Sequence, residues 1–176
     1  MYIARKLRQS HVTAYVLYMY QVEDIIRAYG LDHDRICNQY LPRFNYTKEQ
    51  LTEVGEWYAN LIGMMRDENI QEKGHLQVVR NTVLLLADRH QELLQDPKQS
   101  FYNAAYFKAL PCIVDLRAHG ASREVHEIEN CLDAVYGVTL LKMKGQEVSE
   151  ATENAIKPIV HLLEMLSKEY NNEKTS

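Results

Sequence analysis

Apolar residues recur at alternating spacings of three and four along most of this chain. Val12, Tyr15, Met19, Val22, Ile26 and Tyr29 form one series. Leu51, Val54, Tyr58, Leu61 and Met65 form a second, and Leu76, Val79, Val83, Leu86, His90 and Leu93 a third. That spacing gathers each series onto one stripe of an α-helix. No stretch of comparable length alternates apolar with polar residues as a half-buried strand would. The pattern predicts an all-α protein.

Start and stop signals divide the pattern into six to seven helices. The first runs from within the opening residues to Tyr29, with Gly30 as its stop. Asp32 is placed to cap a short helix that must end before Pro42. Thr47, with Gln50 behind it, has the spacing of a capping box and opens a helix reaching about Ile70. Gly74 separates that helix from the next, which extends to about Gln95. Pro97 suits the first turn of a helix carrying Tyr102, Tyr106, Ala109, Ile113 and Leu116, in which Pro111 predicts a kink or break. Ser122 is expected to cap a helix that buries Val125, Ile128, Leu132 and Val135 and ends near Met143. Gly145 turns the chain, Ser149 caps the last helix, and Pro158 predicts a second kink. A polar tail from about residue 171 is expected to fray. Short connections predict an antiparallel up-and-down bundle, folded as a single domain over residues 1–176.

Composition narrows the function classes. The chain has 46% hydrophobic and 25% charged residues, ordinary for a globular domain that needs no disulfide or metal staple. Its net charge is −4, whereas nucleic-acid binding is marked by a pI above about 9 with clustered Lys and Arg. The short cluster Arg5, Lys6 and Arg8 neutralises few phosphates, so no nucleic-acid partner is expected. Cys37, Cys112 and Cys131 are odd in number and far apart, which suits a reducing compartment and small buried side chains. The stretch Val12 to Val22 follows basic residues as a secretory signal does, but it is rich in Tyr and Thr, no small-residue cleavage site follows, and it is too short to span a bilayer. A cytoplasmic protein without a membrane partner is expected.

Several constellations bear on chemistry. Twelve aromatic residues are Tyr, against three Phe and one Trp, and Tyr15, Tyr18 and Tyr20 crowd one helix. They suit a core and its boundary, or an aromatic pocket or interaction surface. Tyr20, which lies off the apolar stripe, is the better surface candidate. Gly55, Ala59 and Gly63 recur every four residues and predict close approach of a neighbouring helix or a partner subunit. Glu23 and Arg27 have the spacing of a favourable helix ion pair beside the buried stripe. His90 occupies a core position, where a histidine ordinarily finds a hydrogen-bond partner. A di-iron bundle needs Glu-x-x-His twice, but the spacing occurs only at Glu72 and His75, interrupted by Gly74. Glu124 with Glu127, and Glu150 with Glu153, begin successive helices and so lie at opposite ends of a hairpin, roughly 30 Å apart. No metal site is expected, and no cofactor-binding motif such as a Gly-rich phosphate loop is present.

The segment Tyr15-Val-Leu-Tyr-Met-Tyr-Gln-Val-Glu-Asp-Ile-Ile-Arg27 resembles the opening of a family of uncharacterised bacterial proteins, all-helical and about this long, filed as a domain of unknown function. Glu129-Asn-Cys-Leu, then Val135-Tyr-Gly and Leu140-Leu, and the late helix ending at Tyr170 are similar too. The sequence departs from the family pattern at Tyr20, where a Trp often stands. The resemblance implies the fold class and brings no activity; it marks Gln21, Glu23, Asp24 and Tyr136 as positions of interest.

These readings favour a non-enzymatic cytoplasmic interaction protein that self-associates or binds a protein partner. The alternative is an enzyme acting on a small molecule or nucleotide in a pocket between helices, for which Glu23, Arg27, His90 and Tyr136 are the candidate lining residues.

Overall fold

In the computed structural model, which describes residues 1–120, 122 and 124–174, the apolar stripes fold as helices. Among the described residues there are eight α-helices and no strand: α1 Tyr2–Ser10, α2 Val12–Ala28, α3 His33–Arg35, α4 Lys48–Asp67, α5 Gln77–Gln95, α6 Ser100–Ala118, α7 Glu127–Met143 and α8 Glu150–Lys174. A π-helical turn over Ile36–Tyr40 and a 3-10 turn over Leu41–Arg43 follow α3. The count exceeds six to seven because the first expected helix is two. The backbone leaves the helical region at His11, with φ −148° and ψ 82°. One residue earlier, the Ser10 hydroxyl donates back to the Lys6 carbonyl, a local bond that competes with helix propagation.

Most helix ends follow the expected signals. At the end of α2, Gly30 takes φ 69°, and the Gly30 and Leu31 N–H groups donate to the Arg27 and Ile26 carbonyls at 2.9 Å each. This paired geometry satisfies two of the carbonyls that a helix C-terminus leaves open. Helix α4 closes in the same way at Asn69, with φ 56°, so it stops at Asp67 and does not reach Ile70. Thr47 and Gln50 form the reciprocal capping box, with bonds of 2.9 and 3.3 Å. Ser149 accepts the Thr152 N–H at 3.2 Å.

Ser122 does not cap α7. Its hydroxyl accepts the Glu124 N–H, while Arg117 takes the Val125 carbonyl at 3.0 Å and holds that residue outside the helix. Pro97 lies before α6 rather than in its first turn. Neither Pro111 nor Pro158 ends its helix. At Pro111 the deprived acceptor is the carbonyl of Phe107, a residue on the solvent side where water can replace the missing donor. Helix α8 continues through the expected polar tail to Lys174, and Thr175 and Ser176 lie outside the described residues.

Helix α8 is the hub of the packing, touching α1, α2, α5, α6 and α7. Its Ile159, Leu162, Leu163 and Leu166 join Val16, Ile26, Met65, Leu76, Leu86, Ile113 and Leu132 in one buried core. No helix among the described residues is long and apolar enough to cross a membrane.

The small-residue series on α4 divides in use. A Cβ added at Gly55 would lie 3.3 Å from Cys37 Sγ and 3.7 Å from His33 Nε2, so the π-turn segment is the neighbour that needs this glycine. At Gly63 a Cβ would meet nothing within 4 Å, and Ala59 is exposed. Gly63→Ala should therefore raise stability by about 0.5–1 kcal/mol through restriction of the unfolded chain. Gly55→Ala should show no such gain, because the Cys37–His33 contact must move; urea-denaturation midpoints measure both.

Candidate functional site

Glu23 follows Val22 within the buried face of α2, and its side chain is fully enclosed. Two donors meet the carboxylate. His75 Nδ1 lies 2.5 Å from Oε2, and the Leu76 N–H donates to Oε1 at 3.0 Å. Leu76 is the N-cap residue of α5 and has no side-chain cap of its own. Glu23 therefore caps α5 from a different helix, with its charge at the favourable end of the helix dipole. Glu68 adds a second carboxylate there, accepting the Gln77 N–H at 2.6 Å.

Around this pair the aromatic residues form a wall. The His75 ring stacks on Tyr20 with centroids 3.7 Å apart and planes 18° from parallel. Tyr20 meets Tyr136 edge-on at 5.5 Å. Burial raises the pKa of the Tyr20 phenol far above its usual range, so its ring serves as a neutral packing surface. The Tyr136 hydroxyl donates to Asp24 Oδ2 at 2.7 Å, and Asp24 Oδ1 pairs with Arg27 at 3.0 Å. Arg27 then donates to the Ile70 and Gly74 carbonyls. The chain between α4 and α5 is thus fastened to α2 at both of its ends.

A second polar cluster lies further along α5. His90 is 1% exposed; its Nε2 sits 2.8 Å from Glu127 Oε1 and its Nδ1 2.6 Å from the Tyr102 hydroxyl. Because the carboxylate accepts, Nε2 carries the proton in the neutral imidazole and Nδ1 accepts from Tyr102. Tyr106 donates to the other Glu127 oxygen at 3.4 Å. The hydrogen bond from His90 holds the Glu127 carboxyl below its usual pKa, against the opposing effect of burial. Burial pushes the nearby Cys131 thiol up to about 12, leaving it protonated and unreactive at neutral pH. Hydroxyl, imidazole and carboxylate stand in the order of a catalytic triad, the carboxylate orienting the ring. The hydroxyl end is sealed, however: Tyr102 is fully buried and its phenol pKa is raised strongly by that burial.

The structure brings Glu23, Arg27 and Tyr136 into one network and places His90 in another. The expected Glu23–Arg27 ion pair does not form. Glu23 turns inward to His75 and Leu76, and Arg27 pairs with Asp24 instead. Tyr20, expected at the surface, is 2% exposed because His75 and Tyr136 cover it. His75 and Glu127 enter the sequence reading only as unsuitable metal ligands and Tyr102 only as a position on its helix's apolar stripe, none of them as a lining residue. Their one local signal is position: His75 immediately precedes the α5 stripe and Glu127 opens α7. The structure also joins Cys37 and His33, one turn apart, with Sγ and Nε2 at 3.3 Å.

Glu23→Ala should cost about 2–3 kcal/mol, since it takes the acceptor from the buried Leu76 N–H and from the part-exposed His75 ring, leaving Glu68 as the one carboxylate at the α5 terminus. Tyr136→Phe should cost only about 1 kcal/mol; chemical denaturation distinguishes the two. Glu127 gives a pH signature. Its folded pKa lies below the 4.5 of a free glutamate, so just under that pH the unfolded chain binds more protons. The stability it contributes is complete above about pH 4.5 and disappears as pH falls through the folded value. Thermal midpoints should therefore drop on acidification, and Glu127→Gln should lower the neutral-pH midpoint while flattening that drop.

A family model described as a domain of unknown function, DUF4924, matches residues 1–176. No curated protein and no solved structure matches the chain. On that match, and with the all-helical architecture described above, the chain belongs to the DUF4924 family.

Proposed function

We propose that this chain is a non-enzymatic cytoplasmic interaction protein that pairs with a second copy of itself through the outer face of α6. The observation that carries this reading is the two-sided apolar character of that helix. Tyr102, Ala105, Ala109 and Ile113 fill the core, yet Phe101, Phe107 and Val114 are 84%, 64% and 56% exposed. At 100° per residue, Phe107, Pro111 and Val114 fall on one outward stripe, with exposed Ala104 and Ala118 at its edges. A helix that is apolar all round is ordinarily covered on both sides, and contiguous exposed apolar surface marks an association site.

The flanking charges favour a second copy as the cover. Lys108 and Asp115 are both exposed on the same side of the stripe, seven residues apart. When two copies of α6 cross antiparallel about the middle of the helix, Phe107 faces Val114 of the other copy. Lys108 then reaches the other copy's Asp115. A two-fold interface requires such self-complementarity, because each contact is made twice. The candidate residues Glu23, Arg27, Tyr136 and His90 are occupied in holding the bundle together, which supports a structural role for them over a ligand-lining one.

Sedimentation equilibrium of the full chain tests the reading. The expected species has twice the 20.5 kDa chain mass at micromolar concentration. Lys108→Glu should weaken association about tenfold by setting like charges together, and adding Asp115→Lys should restore it. A single-chain mass across the whole concentration range, or a charge reversal that changes nothing, rejects it.

A further inference from the structure

We propose that the partly open cavity between the start of α1, α2, α4 and the segment from Ile36 to Tyr46 binds a small neutral aromatic molecule carrying a hydroxyl or equivalent hydrogen-bonding group, a phenol being the simplest example. The cavity measures about 260 Å³. Tyr18, Tyr40, Phe44, Tyr46, Trp57 and Tyr58 line it, together with aliphatic side chains from α2 and α4. An apolar cavity of roughly 150 Å³ suffices for benzene, so this one accommodates a ring with substituents.

The wall is built for aromatic contact. Tyr40 meets Phe44 edge-on at 5.2 Å and Tyr58 edge-on at 6.2 Å, and Trp57 meets Tyr58 edge-on at 5.1 Å. Phe44 stacks on Tyr46 at 5.7 Å and remains 39% exposed. Aromatic rings at these separations and angles offer both faces and edges to an inserted ring. Tyr40 ends the π-helical turn, a wide helical geometry found preferentially at functional sites.

The polar groups select the ligand's charge. No Asp, Glu, Lys or Arg side chain lines the cavity. Tyr18, Tyr40, Tyr46 and Tyr58 all stand in the wall, so the cavity's hydrogen-bonding groups are mainly phenolic hydroxyls. Burial pushes the Tyr18 phenol up to about 12, so it remains a neutral hydroxyl. A charged ligand entering the cavity would leave water without meeting a counter-ion among the lining side chains. Phenolic hydroxyls both donate and accept, so they can satisfy a ligand hydroxyl whichever way it is oriented.

Trp57 is the single tryptophan of the chain and stands in the wall, so its emission reports occupancy directly. The experiment titrates the full chain with 4-methylphenol, benzoate and benzyltrimethylammonium while following Trp57 fluorescence. The expected result is a saturable change with 4-methylphenol and affinities roughly tenfold weaker or worse for the two charged rings. Tyr18→Phe combined with Tyr46→Phe keeps the rings and removes two hydroxyls; it should weaken 4-methylphenol about fivefold. Circular-dichroism melting of the double variant checks that it folds, and the wild-type titration stands whether or not it does. Emission that drifts linearly without saturating overturns the proposal, as does a charged ring binding as tightly as the neutral one. So does a folded double variant of unchanged affinity.

Discussion

A carboxylate withdrawn from water must find donors, and the enclosed side chain of Glu23 organises the middle of this bundle around that requirement. It takes one bond from His75 and one from the backbone N–H of Leu76. The latter belongs to the group of donors that every helix N-terminus leaves without an internal acceptor. A buried acceptor on α2 and an orphan donor on α5 thus satisfy each other. Left alone, the carboxylate would cost several kcal/mol and the N–H about 1–3 kcal/mol. Arg27, one turn beyond Glu23, draws in the Ile70 and Gly74 carbonyls, so the joint between α4 and α5 is fixed as well.

With the start of α5 held, the position of His90 follows. It lies about 20 Å further along the same helix, where α6 brings Tyr102 and Tyr106 and α7 brings Glu127. The two clusters use the same device, an imidazole between a carboxylate and an aromatic residue, to join helices that are distant in sequence. Satisfied networks of this kind specify a single arrangement, because any shift of one helix leaves buried polar atoms unmatched. Helix α6 is held to the core by this network and by its apolar inner face, while its outer face still carries Phe107 and Val114. Proline at position 111 is tolerated on that outer face because the carbonyl it deprives is open to water.

Much of the local architecture was legible from the residues themselves. Gly30 and Gly145 end their helices as expected, with φ 69° and 68°. Thr47 and Gln50 form their capping box. Such signals work because their partners lie within a few residues. Where a distant group intervened, the local signal failed. Ser122 lost its capping role when Arg117 took the Val125 carbonyl, and Arg27 found Asp24 because Glu23 had turned to α5. Tyr20 lies off the stripe defined by spacing, yet α7 and His75 close over it. The candidates Glu23, Arg27 and Tyr136 could be named from sequence, but not the residue that unites the site, His75.

The sequence by itself determined that this chain is helical, where most of its helices stop, and which stripe of each is apolar. Those properties depend on the 3.6-residue turn and on backbone donors and acceptors a few positions apart. Only the tertiary structure decided which polar atoms meet. Glu23 and His75 are 52 residues apart, Asp24 and Tyr136 112, and His90 and Glu127 37. It also decided that tyrosines of α2, α4 and the π-helical turn line one cavity rather than scattering over a surface. Side-chain pairing across such separations is set by how the helices pack, a balance of burial and hydrogen bonding over the whole core. Helical periodicity carries no record of it.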